Sequence, residues 1–300
     1  MKNKIITVLT PTYNREKYLN VLYQSLIKQT NQQFKWLIVD DGSTDNTEEY
    51  VSKIIDEGKL EIIYLKKKNG GKHTALNLGF KKLDTELFII VDSDDYLIDT
   101  AIEKIIDLHE TYKENDKLVG YVFLKGYSAN ESITKLFKED EFIANYNSYI
   151  INENVEGDKA EVFKSKVFKT YKFDEFKGEI FIGEGYLWSE ISKKYDMVFK
   201  NQIIYICEYL EQGLTKAGRA FRIKNPLGGM RHAKEYIDVI FNIKIVIKNL
   251  LLYIAYSKFA NISFKEAQNG LEKYKLLYIL IYPFGVIIYI FWKKKYLGEN

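Results

Sequence analysis

Between residues 5 and 112 the chain alternates short strand-like runs with stretches of helical spacing. Residues 5–9, 34–39, 60–65 and 87–91 are rich in β-branched and aromatic side chains. Residues 16–28, 47–56, 74–83 and 100–112 repeat apolar positions at helical intervals. Strand–helix units of roughly 30 residues predict βαβ connections and a parallel sheet. In such sheets every strand points the same way, so their carboxyl ends share one edge, where ligands bind.

Three strands end in polar, turn-forming stretches: TPTYNR (10–15), VDDGSTDNT (39–47) and VDSDDYL (91–97). Thr12, Asp40, Asp41, Asp92 and Asp94 are therefore expected around one crevice. Crowded carboxylates are costly unless a cation or a set of donors compensates them. Hard oxygen ligands without His or Cys suit Mg²⁺ or Mn²⁺, which keep waters and bridge to substrate phosphates. The crevice reads as a metal–diphosphate site, in which the ion stabilises a departing diphosphate. Other phosphate-binding motifs fail: Gly71-Lys72 has Lys66 where a P-loop needs Gly and His73 where it needs Ser or Thr, and no GxGxxG occurs.

Composition narrows the class. A hydrophobic content of 46% and a charged content of 28% are those of a folded globular chain. A single cysteine, Cys207, permits neither an internal disulfide nor a thiolate cluster, which fits a reducing compartment. The apolar stretch in MKNKIITVLTPTYNRE is too short for a signal peptide. Charge is uneven: residues 1–215 hold 29 Lys and Arg against 36 Asp and Glu, whereas residues 216–300 hold 15 against 5. The acidic front and basic back suggest separate jobs, and the apolar content of the back favours a membrane over nucleic acid.

TPTYNR, VDDGSTDNT, NGGKHTALNLG and VDSDDYL, in that order, resemble the signature of glycosyltransferase family 2. The resemblance is strong over residues 4–110 and weaker to about 215. The NGGKHTALN version is similar to bacterial enzymes that build capsule and other surface polysaccharides. The resemblance implies the GT-A fold, an α/β architecture with a Rossmann-like, mostly parallel sheet flanked by helices. It also implies inverting transfer of a sugar from a nucleoside diphosphate, such as UDP, to a hydroxyl, with Mn²⁺ or Mg²⁺ as cofactor. Carried over by position, Thr10, Pro11, Thr12 and Tyr13 would line the nucleobase pocket. Asp41 would accept from the base imide with Asp40 beside it, and Lys72 and His73 would face the nucleotide. Asp92, toward the ribose, and Asp94, on the metal, form a D-x-D pair, with Ser93 between them and Asp95 adjacent. GEIFIGEGYLWSEI (178–191) resembles the region that supplies the catalytic base, which points to Glu184, with Glu179 and Asp174 as alternatives. YLEQGLT (209–215) resembles the acceptor-side segment that closes the domain. The Gln-x-x-Arg-Trp motif of processive synthases is missing, so single-sugar addition is expected.

Residues 216–300 are expected to form a basic helical extension behind a catalytic domain of residues 1–215. Residues 276–292 carry no charge and precede Lys293-Lys294-Lys295. Spanning a bilayer takes about 20 residues, and Pro283-Phe284-Gly285 interrupts this run, so an interfacial helix or kinked hairpin is expected rather than a span. Arg219, Arg222, Lys224, Arg231 and Lys234 add a basic cluster suited to anionic lipid. These features point to the cytoplasmic membrane face and a lipid-linked saccharide acceptor. Two rivals remain: a sugar-phosphate nucleotidyltransferase, which usually opens with a Gly-rich loop that residues 1–20 lack, and a non-catalytic scaffold of a polysaccharide assembly complex.

Overall fold

In the computed structural model, which describes residues 4–133, 135–207 and 214–298, the chain divides into two compact units. The first comprises residues 1–145, 155–172 and 194–210. The second comprises residues 146–154, 173–193 and 211–300. Two segments from before residue 215 thus pack with the C-terminal helices rather than with the sheet.

The first unit is built on one mixed sheet. Its parallel part contains β1 (Ile6–Thr12), β2 (Phe34–Asp40), β3 (Ile62–Lys66) and β4 (Leu87–Ile90), in the order β3-β2-β1-β4. The remaining strands are β5 (Tyr96–Leu97), β6 (Leu118–Ser128), β7 (Glu131–Ser132), β8 (Glu141–Ala144), β9 (Lys159–Lys164) and β10 (Asp196–Ile206). Strand β9 lies antiparallel between β4 and β6, and β10 runs parallel to β6. Residues 127–145 contribute β7 and β8 to the sheet.

Helices α1 (Glu16–Ile27), α2 (Thr47–Asp56) and α4 (Ala101–Tyr112) put Leu19, Leu22, Leu26, Val51, Ile54, Ile102 and Ile105 into one core with Ile6, Val8 and Ile89. Helix α3 (Lys72–Phe80) packs closely on β1, where a Cβ on Gly79 would stand 2.6 Å from the Leu9 side chain. Phe80, Phe88, Phe163 and Phe168 interlock with ring centroids 4.7–5.7 Å apart.

Pro11 lies inside a strand but costs little. β1 pairs with β4 only over Ile6–Leu9, so the missing N–H falls where the ladder on that side has ended. The register Thr12↔Asp40↔Lys66 aligns the ends of β1, β2 and β3, and Leu9↔Ile90 places the end of β4 beside them. The expected common edge is present.

The second unit is helical: α5 (Gly185–Ile191), α6 (Leu214–Ile223), α7 (Pro226–Val239), α8 (Ile243–Phe259), α9 (Phe264–Asn269) and α10 (Lys275–Trp292). Helix α10 runs unbroken through Pro283, so the expected hairpin does not form. Gly285 lets it lie directly on α8, because a Cβ there would stand 2.5 Å from Ile254. Its other side is bare: Leu276, Leu280, Phe284, Ile287 and Phe291 are 59–79% exposed.

The tightest steric demand in the sheet is at Gly120, where a Cβ would fall 1.9 Å from the carbonyl oxygen of Val162. Gly120→Ala is expected to push β6 away from β9 and to destabilise the first unit by about 3 kcal/mol, at the upper end for overpacking. Urea unfolding followed by tryptophan fluorescence checks this, with Gly58→Ala, whose Cβ meets nothing within 4 Å, as the comparison.

Candidate active site

The loops beyond the parallel strands are fastened to one another by buried polar contacts. Asp41 follows β2 and is 3% exposed. Its Oδ1 accepts from Lys67 Nζ at 2.6 Å and from the Gly70 amide at 3.0 Å, and its Oδ2 accepts from the Gly71 amide at 2.6 Å. Its own amide donates to the Thr12 carbonyl at 2.8 Å. Asp40, fully buried, accepts from the Ser43 amide at 2.7 Å and from the Tyr64 hydroxyl at 2.5 Å. Gly42 has φ +85°, and a Cβ there would meet the Asn69 amide at 2.8 Å, so the turn requires glycine. Asn14 closes the other side: its side-chain oxygen accepts from the Thr44 amide at 2.8 Å, and its amide donates to Ser43 Oγ at 2.8 Å.

Asp92 and Asp94 lie past the end of β4. The Lys72 ammonium, at the start of α3, pairs with Asp92 at 2.5 Å, and Arg15 stands 3.8 Å from Asp94. Burial pushes Asp92 upward, but the ammonium groups of Lys72 and Lys125 outweigh it and hold its carboxyl below the usual range. Asp94 moves the other way: burial raises it, the charge of Asp92 raises it further, and Arg15 offsets only part. Neighbouring carboxylates with opposite shifts repel one another, and a cation between them relieves this.

The structure distributes the expected residues unevenly. Thr12, Asp40, Asp41, Asp92 and Asp94 come to the shared edge. Thr10 does not face a ligand: its hydroxyl is fully buried and accepts from the Trp36 indole N–H at 2.9 Å. Pro11 is buried beside it, whereas Tyr13 is 46% exposed at the strand end. Ser93 and His73 are buried. Asp95 accepts from the buried Tyr205 hydroxyl at 2.7 Å, and that oxygen in turn accepts from the Asp92 amide at 3.0 Å. Among the described residues no three His, Cys, Asp or Glu side chains gather around one point. A divalent ion here would have Asp92 and Asp94 from the chain and would take its other oxygens from water and a diphosphate, the habit of Mg²⁺. The pair fits such an ion. A second sign of a ligand is the hydroxyl of Thr12, buried without a hydrogen-bond partner among the described residues.

Sequence reasoning missed Lys67, Arg15, Lys125 and Tyr205 as members of this network. The first two stand inside or next to the motifs; Lys125 and Tyr205 come from strands distant in sequence and carry no local signal.

Glu184, in the second unit, is the N-cap residue of α5 and is partly exposed, and its side chain does not cap the helix. The two alternatives are engaged. Glu179 accepts from the Leu227 and Gly228 amides at 2.7 and 2.8 Å, capping α7, and burial pushes its carboxyl up. Asp174 pairs with Arg231 at 2.8 Å. Arg231 also holds Glu190 and Glu235, and Lys234 pairs with Asp238, so neither belongs to the expected lipid-facing basic cluster. Residues 209–213 of YLEQGLT lie outside the described residues. His109 is structural, bonded to the Tyr121 hydroxyl at 2.8 Å. Burial pushes the Cys207 thiol up to about 12, which disfavours the nucleophilic thiolate.

The model of the family described as "Glycosyl transferase family 2" matches residues 7–180. The poly(ribitol-phosphate) β-N-acetylglucosaminyltransferase TarS of Staphylococcus aureus is 33% identical over 135 residues, 44% of this chain and 23% of that protein. The glycosyltransferase GlyG of Streptococcus pneumoniae is 29% identical over 153 residues, 51% of this chain and 46% of that protein. The chain spans less than half the length of these curated relatives. In fold it is similar to S. aureus TarS 1–349 crystallised with UDP-GlcNAc, with a TM-score of 0.68 at 18% identity, covering 98% of this chain and 92% of that one. A mannosyltransferase from Pyrobaculum calidifontis, crystallised with GDP-Man and Mn²⁺, gives a TM-score of 0.56 at 16% identity, covering 100% and 89%. Both neighbours share the GT-A architecture.

Lys67 is the only cation on the doubly bonded Asp41 among the described residues. Lys67→Met is expected to destabilise the protein by about 2 kcal/mol, the scale of a lost charge-assisted bond, and to loosen residues 67–71. Thermal unfolding and amide hydrogen exchange over that loop check this, with Lys67→Arg recovering part of the loss.

Proposed function

Because the chain belongs to glycosyl transferase family 2, we propose that it moves a single sugar, with inversion, from a UDP-sugar to a hydroxyl of a lipid-linked saccharide. The setting is bacterial surface polysaccharide synthesis at the cytoplasmic face of the membrane. The observation that carries this reading is the paired Asp92 and Asp94 at the carboxyl ends of parallel strands, with Lys72 and Arg15 directed at them.

Asp94, with Asp92, would hold Mn²⁺ or Mg²⁺, which supplies Lewis-acid stabilisation of the departing diphosphate when bound. The chain itself does the rest. Lys72 and Arg15 place two further positive charges where the diphosphate gathers negative charge. Tyr13 and the unpartnered Thr12 hydroxyl meet the nucleoside. Asp41 retains a lone-pair site on Oδ2 for the base imide beyond the bond it accepts from Gly71. Glu184 takes the proton from the attacking hydroxyl, a role suited to a partly exposed carboxylate. Residues 1–215 would supply catalysis and residues 216–300 the membrane contact. The relatives support the donor class: one neighbour was crystallised with UDP-GlcNAc and another with GDP-Man and Mn²⁺.

Membrane docking rests on α10. Eighteen helical residues measure about 27 Å, and one side of them is apolar and exposed while the other packs on α8. A helix with one side against protein suits an interfacial position, with Lys293, Lys294 and Lys295 at its end drawn to anionic headgroups at roughly 1 kcal/mol each.

Three outcomes are expected. Asp94→Ala loses Mn²⁺-dependent UDP binding by about 100-fold, or roughly 2.7 kcal/mol, measured by titration calorimetry with and without Mn²⁺; full activity in this variant would sink the metal assignment. Glu184→Gln keeps UDP binding but lowers turnover by roughly 10²–10⁴, read as UDP release across nucleotide sugars and saccharide acceptors. Leu280→Asp together with Ile287→Asp leaves UDP binding intact and abolishes co-sedimentation with vesicles containing anionic lipid.

A further inference from the structure

The second unit contains a cavity of about 600 Å³ bounded by α6, α7 and α8. Arg219 and Arg222 reach it from α6, His232 from α7, and Lys244 and Lys248, one helical turn apart, from α8. None of the described residues lining it is acidic. Four fixed positive charges, three of them on exposed side chains, gather around one hollow and repel each other. Some cations of this unit are answered by carboxylates: Arg231 has Asp174, Glu190 and Glu235, Lys193 has Glu235, and Lys234 has Asp238. In the cavity no described carboxylate does so. Arg219 donates to the Tyr256 hydroxyl at 2.8 Å, and Arg222 lies over the Phe181 ring at 5.3 Å, contacts that orient a guanidinium without neutralising it. Nδ1 of His232 is buried without a hydrogen-bond partner among the described residues. The amides at the start of α7 are not the attraction, since Glu179 already accepts from them.

What kind of anion enters follows from where the cavity lies. The Arg219 guanidinium stacks on Trp292 at 4.3 Å, and the Tyr256 and Trp292 rings are 5.9 Å apart. Trp292 is the last residue of α10, so the basic hollow sits at one end of the helix whose exposed face is apolar. A small free anion would use only the hollow. An amphiphile uses both, placing its charged head among the four cations and its hydrocarbon along Phe291, Ile287 and Phe284. The volume is in the range of small-molecule sites and exceeds what a phosphate alone fills.

We infer that this cavity binds the phosphate or diphosphate head of the lipid-linked acceptor, with the lipid chain laid on the exposed face of α10. The inference rests on the proposed use of a lipid-linked acceptor, but it concerns a different site from the donor crevice.

Binding of farnesyl diphosphate to the full chain is the test, with inorganic pyrophosphate and farnesol as comparisons. EDTA is present, so that metal-dependent binding in the donor crevice does not contribute. The wild type is expected to bind farnesyl diphosphate at least ten-fold more tightly than either comparison. Arg222→Gln with Lys248→Gln is expected to weaken it ten-fold or more, since each lost bond to a charged group costs about that factor. UDP binding with Mn²⁺, measured separately, stays unchanged in the double variant, which separates loss of this site from loss of the donor site. Should the double variant unfold, Lys248→Gln alone, an exposed position, is expected to lose several-fold. Unweakened binding by a folded variant overturns the inference. Pyrophosphate binding as tightly as farnesyl diphosphate makes this a free-anion site, farnesol binding equally makes it an apolar surface, and either result overturns it too.

Discussion

The crevice depends on one buried carboxylate. Asp41 has almost no contact with water, and such a charge persists only when donors replace its hydration. Two backbone amides and one ammonium do so, all from residues 67–71, while its own amide is tied to the end of β1. Each of these groups would be stranded without the others, so the loops after β1, β2 and β3 stand or fall together. Lys72, which opens α3 directly after that loop, is thereby held where it pairs with Asp92. The D-x-D turn receives its cation as a consequence of the Asp41 clamp.

That dependence explains what could be read from the chain and what could not. Strand ends were legible because parallel pairing is geometrically simple: Thr12, Asp40 and Lys66 stand in register, and the acidic turns follow. The D-x-D pair was legible from charge alone. Thr10 was misjudged because a threonine near a strand end carries no mark of which face it occupies, and the partner that captures it, Trp36, lies on the next strand. Asp95 stood beside two crevice carboxylates in sequence, yet its fate is decided by Tyr205, more than a hundred residues away. Pro283 promised a break in α10. The helix continues because the glycine two residues later lets it seat on Ile254, a contact no local rule contains.

The second unit gives the same lesson for charge. Composition marks residues 216–300 as basic but treats every cation alike. Folding sorts them. Arg231 and Lys234 are consumed by carboxylates, three of which, Asp174, Glu190 and Glu235, come from separate stretches of chain. Lys244 and Lys248 have no such partner among the described residues, and Arg219 and Arg222 meet only a hydroxyl and aromatic rings.

The leftover cations distinguish between the two partners that a basic region commonly serves. A nucleic acid would be met by an extended polar surface that follows a charged backbone. Here four cations without carboxylate partners gather at a hollow, and the adjoining surface is the bare apolar side of α10. Exposing that many large apolar side chains to water is costly, and four cations gathered without carboxylates repel one another. A single ligand relieves both only if it is anionic at one end and hydrocarbon at the other. An acceptor that carries its saccharide on a membrane lipid has that chemistry, so the fold's two least comfortable features are relieved by one molecule.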